Sequence, residues 1–196
     1  NSLAKAIYVP VKNYLEAIYE SGGELALRGF ATKELLDMIV PNTAVVTGCP
    51  AFYQLGSSLN IPNEKVDEKY FKPLINGSIR YLKSVGVLPF LETYRNSIFM
   101  DQNDFAAWLD FRKLYGKENS IYELIFRNTF VGAKLLVENR IKLIYDVPVW
   151  IRYMRNEKFS FSYGTRIHGN IAAMLAGVPS KVLAYDARTR ELAEFF

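Results

Sequence analysis

Apolar positions along the chain fall into two alternating rhythms. Over residues 11–21 they recur at helical spacing, with Tyr14, Leu15, Ile18 and Tyr19 on one side, and Gly22-Gly23 closes the run. Residues 24–27 predict a short strand leading into Arg28-Gly29. Thr32 is placed to cap a helix reaching to about residue 38, and Pro41-Asn42 turns the chain. Residues 44–47 read as a buried strand, closed by Gly48-Cys49-Pro50. Strand, helix and strand in so short a stretch predict a parallel crossover.

Residues 56–73 are polar, holding Ser57-Ser58, Asn60, Pro62-Asn63 and a charged run. They predict a boundary between an N-terminal α/β lobe over 1–58 and a C-terminal α/β lobe over 59–196. Beyond it the pattern predicts a helix within 79–87, a strand at 98–100 and a helix start at 101–104. A helix over 105–115 follows, with Phe105, Trp108, Leu109 and Arg112 at helical spacing. Then come a strand at 141–145, a helix at 148–155, a strand at 159–162 and a helix at 170–175 that stops at Gly177. A strand at 182–185 and a helix at 189–196 complete the series. This alternation predicts an α/β fold built on parallel sheet. Ligands of such sheets bind beyond the carboxyl ends of the strands, which directs attention to Arg28, Gly48, residues 164–170 and residues 186–190. The chain begins without Met and ends within an amphipathic pattern, so a fragment with an incomplete N-terminal lobe is expected.

Composition changes this picture only a little. Half of the 196 residues are hydrophobic, with 13 Tyr and 13 Phe, enough for a packed core. The net charge is +4, but no Lys/Arg run or basic aromatic stripe accompanies it, so a nucleic-acid partner is not expected. The surplus fits either a solvated surface or a positive cleft for an anion. With one cysteine, Cys49, an internal disulfide is impossible, and a buried structural thiol in a reduced compartment is expected. No apolar run approaches the roughly 18 residues of a membrane span. No cluster resembles a zinc site, so no metal is expected.

The densest candidate chemistry lies in Phe159-Ser-Phe-Ser-Tyr-Gly-Thr-Arg-Ile-His-Gly-Asn170. A strand breaking at Gly164 and entering a helix near Asn170 gathers backbone N–H groups at one helix N-terminus, a good anion site. Arg166 adds a bidentate clamp. If the turn is extended, His168 faces the same side and can move a proton. The plain alternatives are that His168 bonds local backbone and that Arg166 pairs with Asp186 or Glu191. A second cluster, Ala184-Tyr-Asp-Ala-Arg-Thr-Arg-Glu-Leu192, repeats the strand-to-helix arrangement. Arg188 and Arg190 are placed to hold phosphate there. On the simpler reading Asp186 and Thr189 cap the helix and Glu191 supports its first turn.

The run Phe-Ser-Tyr-Gly-Thr-Arg-Ile-His-Gly-Asn-Ile-Ala-Ala-Met-Leu-Ala-Gly-Val-Pro, followed by Tyr-Asp-Ala-Arg-Thr-Arg-Glu-Leu-Ala-Glu-Phe-Phe, resembles the C-terminal signature of the polysaccharide pyruvyltransferase family. Leu27-Arg-Gly-Phe-Ala-Thr-Lys-Glu-Leu-Leu, followed by Val45-Val-Thr-Gly-Cys-Pro50, resembles a segment of that family's N-terminal domain. Together the stretches cover about a third of the chain. Phe30 and Ala51 depart from the family pattern, in which small or polar residues are common.

The resemblance implies glycosyltransferase-B-like lobes. It implies transfer of a pyruvyl group from phosphoenolpyruvate, as co-substrate, to a hydroxyl pair of a glycan or lipid-linked saccharide, forming a ketal. No cofactor is implied. By the same resemblance Arg166 and His168 contact the donor, with His168 as proton donor. Arg28, Gly169, Asn170 and Arg188 are further donor-binding candidates. The location implied is cytoplasmic, with a peripheral position at the inner membrane face left open. Two rivals remain: a nucleotide-sugar-dependent glycosyltransferase, since fold does not fix function, and a non-catalytic glycan-assembly subunit of the same fold.

Overall fold

The computed structural model of the chain describes residues 2–62, 67–78, 87–101, 135, 137–144 and 146–195. By packing, the chain divides into two compact units, Asn1–Gln54 with Ala184–Phe196, and Leu55–Leu183. The first division thus falls at residue 54 where 58 was expected, and residues 184–196, expected in the second lobe, cluster with the first unit.

The first unit opens with helix α1 (Ser2–Glu20), which starts well before the predicted residue 11. Leu15 is its buried anchor, whereas Tyr14 and Tyr19 are exposed. Strand β1 (Leu25–Leu27), helix α2 (Phe30–Asp37) and strand β2 (Ala44–Val46) form the expected crossover, and β1 pairs parallel to β2 with Leu25 opposite Ala44. Gly48, with φ of 74°, ends the strand in a conformation that a side chain disfavours. Cys49 beside it is buried and free, as expected of a structural thiol. Helix α6 (Ala187–Phe195) packs on α2, bringing the Phe30 and Phe195 rings to 6.1 Å. That packing is why residues 184–196 belong to this unit.

The second unit is a five-stranded parallel sheet. Its strands are β3 (Pro73–Gly77), β4 (Ile98–Asp101), β5 (Ile141–Leu143), β6 (Phe161–Gly164) and β7 (Ser180–Val182). They lie in the order β5-β4-β3-β6-β7. Parallel pairing at every interface makes this a mixed α/β fold, as the alternation predicts. The central strand β3 is not among the predicted strands, although all five of its residues are buried. Side-chain alternation along the strands builds two cores. Ile75, Phe99 and Ile141 meet Val87 and Leu91 of helix α3 (Val87–Thr93) on one face. Leu74 and Met100 meet Trp150 and Met154 of helix α4 (Val147–Glu157), and Ala172 and Ala173 of helix α5 (Ile167–Leu175), on the other. A sheet covered on both faces has strands without a polar side, which is the usual state of parallel sheets.

Buried Arg140 sits at the amino ends of β4 and β5. It donates to the carbonyls of Leu91, Tyr94 and Ser97 at 2.6, 3.0 and 2.9 Å. A guanidinium meeting the last carbonyls of α3 complements that helix end and lies at the edge opposite the carboxyl ends of the strands. The helices predicted over 79–87 and 105–115, and the helix start at 101–104, fall almost wholly outside the described residues. Among the described residues no helix is long and apolar enough to cross a membrane.

Candidate functional site

The chain runs from β3 outward through β4 to β5, then returns across the sheet to β6 beside β3 and continues to β7. Counted from β3, this is the doubly wound order 3-2-1-4-5, which switches direction between its first and fourth strands. A crevice opens at the carboxyl ends of the two strands flanking such a switch. Here those strands are β3 and β6, whose ends are Asn76-Gly77-Ser78 and Gly164-Thr165-Arg166.

Arg166 is the N-cap residue of α5, extended at φ −91° and ψ 105°. The helix begins at Ile167, three residues before the predicted start, so His168 is its second residue. Extended backbone therefore ends at Arg166, and the extended turn proposed to place both side chains on one side does not reach His168. Both residues are half-buried and stand at the mouth of the same helix. Among the described residues Arg166 has no carboxylate partner within ion-pair distance. The two acids proposed as partners are otherwise engaged: Asp186 accepts from Thr189 N at 2.6 Å, and Glu191 accepts from Thr32 N and Oγ1 at 2.6 and 3.0 Å.

Asn170 and Gly169, proposed to touch a donor, face inward. Asn170 is fully buried. Its Nδ2 donates to the carbonyls of Gly164 and Arg166, both at 3.1 Å. Its Oδ1 accepts from Asn76 Nδ2 at 2.8 Å, Ser162 Oγ at 3.2 Å and Ser180 Oγ at 2.6 Å. With every polar position of its amide in use, Asn170 holds β3, β6, β7 and α5 together and has none left for a ligand. A Cβ on Gly169 would lie 2.9 Å from Asn76 Cγ, and one on Gly164 would lie 1.8 Å from Asn76 O. The glycines of the cluster thus make room for Asn76. Asn76, Ser162 and Ser180 were not singled out in the sequence; a polar residue inside the short apolar run Pro73-Leu-Ile-Asn-Gly77 was the available signal for the first.

Arg28 and Arg188 are exposed and lie in the first unit. Each stands beside a helix N-terminus that the chain itself fills. The N-cap of α2 is Gly29, which has no side chain to offer, and Glu191 supplies the acceptor for the Thr32 N–H instead. A Cβ at Gly29 would lie 1.8 Å from Glu191 Cγ, so the glycine makes the approach possible. Thr32 is the recipient of a cap, not its source. At α6 the cap is Asp186, while Thr189 is its donor and Glu191 serves α2. Hydrogen bonds from Thr189, with Arg188 nearby, hold the Asp186 carboxyl below its ordinary range. Helix α4 is capped by Asp146, which accepts from Val149 N at 2.8 Å. None of α2, α4, α5 and α6 has an acid in its first turn; described carboxylates meet the ends of α2, α4 and α6, while the N-cap residue of α5, Arg166, makes no side-chain cap bond. Among the described residues no three metal-ligating side chains cluster.

A doubly wound parallel α/β unit with an arginine at a helix N-terminus beside its switch point is an arrangement of the kind that suits anionic ligands. The chain belongs to the polysaccharide pyruvyl transferase family, whose model matches residues 10–187. Arg28, Arg166 and His168 fall inside the match, and Arg188 lies one residue beyond it. No curated protein and no solved structure matches the chain.

Proposed function

We propose that this protein transfers a pyruvyl group from phosphoenolpyruvate to a pair of hydroxyls on a glycan or lipid-linked saccharide, as a cytoplasmic enzyme with glycosyltransferase-B-like lobes. The observation that carries the reading is the end of α5, where Arg166 is the N-cap residue at the β3/β6 switch point and, among the described residues, has no carboxylate within ion-pair distance. A donor bearing both a phosphate and a carboxylate suits a guanidinium set beside the N-terminus of a helix. Arg28 and Arg188 are further cationic candidates.

In the proposed reaction His168 gives a proton to the methylene carbon of the donor, which becomes a methyl group. The C2 carbon, now electron-poor, accepts one sugar hydroxyl. Loss of inorganic phosphate and attack by the second hydroxyl close the ketal, and the hydroxyl protons are released. Arg166 neutralises the donor throughout and stabilises the departing phosphate.

Calorimetry tests the reading. Phosphoenolpyruvate is expected to bind the full chain saturably, and Arg166→Ala to weaken it about 100-fold, the scale of losing hydrogen bonds to a charged group. Binding of a nucleotide sugar in place of phosphoenolpyruvate would favour the glycosyltransferase rival. Equal phosphoenolpyruvate binding by wild type and variant would remove Arg166 from the donor site.

A further inference from the structure

We infer that Asn76 is a positioning residue for the proposed transfer, fixing Arg166 from behind through its backbone. The inference rests on the reading of Arg166 as the donor clamp. Asn76 lies on β3, about 1% exposed, in register with Gly164 of β6. Its Oδ1 accepts from the Arg166 backbone N–H at 3.2 Å. Its Nδ2 donates to Ser162 Oγ at 3.1 Å and to Asn170 Oδ1 at 2.8 Å. Asn170 Nδ2 in turn donates to the Arg166 carbonyl. The N–H and the C=O of Arg166 are therefore each held by a buried carboxamide, and the two carboxamides hold each other.

The orientation of both amides is fixed by these bonds. Turning Asn170 over would set its oxygen against the carbonyls of Gly164 and Arg166, and turning Asn76 over would set its NH2 against the Arg166 N–H. A side chain with a donor on one end and an acceptor on the other is required at each position. The same geometry explains the glycines, since Gly164 and Gly169 are the two positions where a Cβ would run into Asn76. Arg166 is a long, flexible side chain, so the precision of its head group depends on how firmly its backbone is held. A misplacement of about 1 Å at a site that orients substrate can cost on the order of 100-fold in rate.

The test pairs Asn76→Ala with Ser180→Ala, measured on the full chain at temperatures equally far below their melting points. Ser180→Ala removes the 2.6 Å bond to Asn170 Oδ1 but touches no atom of Arg166. Amide hydrogen exchange reads the clamp and phosphoenolpyruvate calorimetry reads its consequence. Asn76→Ala is expected to unprotect the Arg166 amide and to weaken donor binding about tenfold or more, with Ser180→Ala within about twofold of wild type. Unchanged protection at Arg166 in Asn76→Ala, or equal weakening in both variants, would overturn the inference. Should Asn76→Ala not fold, Ser162→Ala removes one of the two bonds donated by Asn76 Nδ2, together with the 3.2 Å bond to Asn170 Oδ1, and a loss of about threefold takes the place of the larger one. Wild-type donor binding by Arg166→Ala would sink the donor reading itself, a result distinguishable because the exchange measurement does not depend on a ligand.

Discussion

Two strand-to-helix turns, one in each unit, are built from nearly the same parts and end differently. Both follow a parallel strand and place an arginine beside the mouth of a helix, Arg28 before α2 and Arg166 before α5. Both need a glycine where a Cβ would lie 1.8 Å from a neighbour. At α2 that neighbour is Glu191, whose carboxylate occupies the helix end. At α5 it is the backbone of Asn76, whose side-chain amide holds Arg166 from behind, and among the described residues no acid stands at that helix end. An arginine next to a helix N-terminus is thus insufficient to mark an anion site. What matters is whether the chain has already supplied the anion.

The largest expected effect comes from filling the two glycine positions. In Gly164→Ala the new methyl meets the carbonyl of Asn76 in the central strand of a packed sheet, which cannot retreat. Destabilisation of about 4 kcal/mol or more is expected, enough to abolish soluble folded protein. In Gly29→Ala the methyl meets a side chain that can swing away, leaving α2 uncapped at a cost of about 1 kcal/mol. Denaturant melts compare them. Similar losses at both positions would show that the two turns are not different in kind.

The next effect exchanges the characters of the two helix ends. Arg166→Asp places a carboxylate at the N-cap of α5, as Asp186 and Asp146 stand at theirs. Phosphoenolpyruvate binding should disappear while the fold gains about 0.5–1 kcal/mol from the cap. Glu191→Ala empties the end of α2, and a loss of about 1 kcal/mol without change in donor affinity is expected. Thermal melts and calorimetry on the same samples separate the two. Loss of donor affinity in Glu191→Ala would mean that α2 also serves the donor.

What was legible in the sequence follows the range of the interactions. The α/β class and parallel pairing came from apolar runs and turn residues, which act locally. The Phe159–Asn170 cluster stood out because its glycines, Arg166 and His168 are neighbours in the chain. Strand β3 was not legible, since Asn76 interrupts its apolar run and the groups that satisfy Asn76 lie 86 to 94 residues away. The cap of α2 was equally hidden, with Thr32 and Glu191 159 positions apart in the chain. Asn170 was legible as a residue of the cluster but not in its role, because a buried amide and a ligand-facing one look alike in a sequence. The cap that Asp186 contributes to its own helix stood among the readings of the sequence, beside a phosphate-holding one, because donor and acceptor lie three residues apart.

That local cap supplies the smallest and most specific test. Thr189 donates to Asp186 and holds its carboxyl below the ordinary value of 3.8. Because folding depresses this carboxyl, its contribution is complete above 3.8 and is lost as pH falls through the lower, folded value. Asp186→Asn keeps a side-chain oxygen for the cap but removes the charge that favours a helix N-terminus. Wild type should therefore melt slightly above Asp186→Asn at neutral pH, and the difference should shrink towards zero in acid. Arg166→Asp offers the matching probe at α5, since its new carboxylate should bring the same acid sensitivity to a helix end at which no described carboxylate stands. A difference between wild type and Asp186→Asn that stays constant down the pH range would mean that the carboxylate charge does not support α6, and the contrast between the filled and the open helix ends would lose its electrostatic basis.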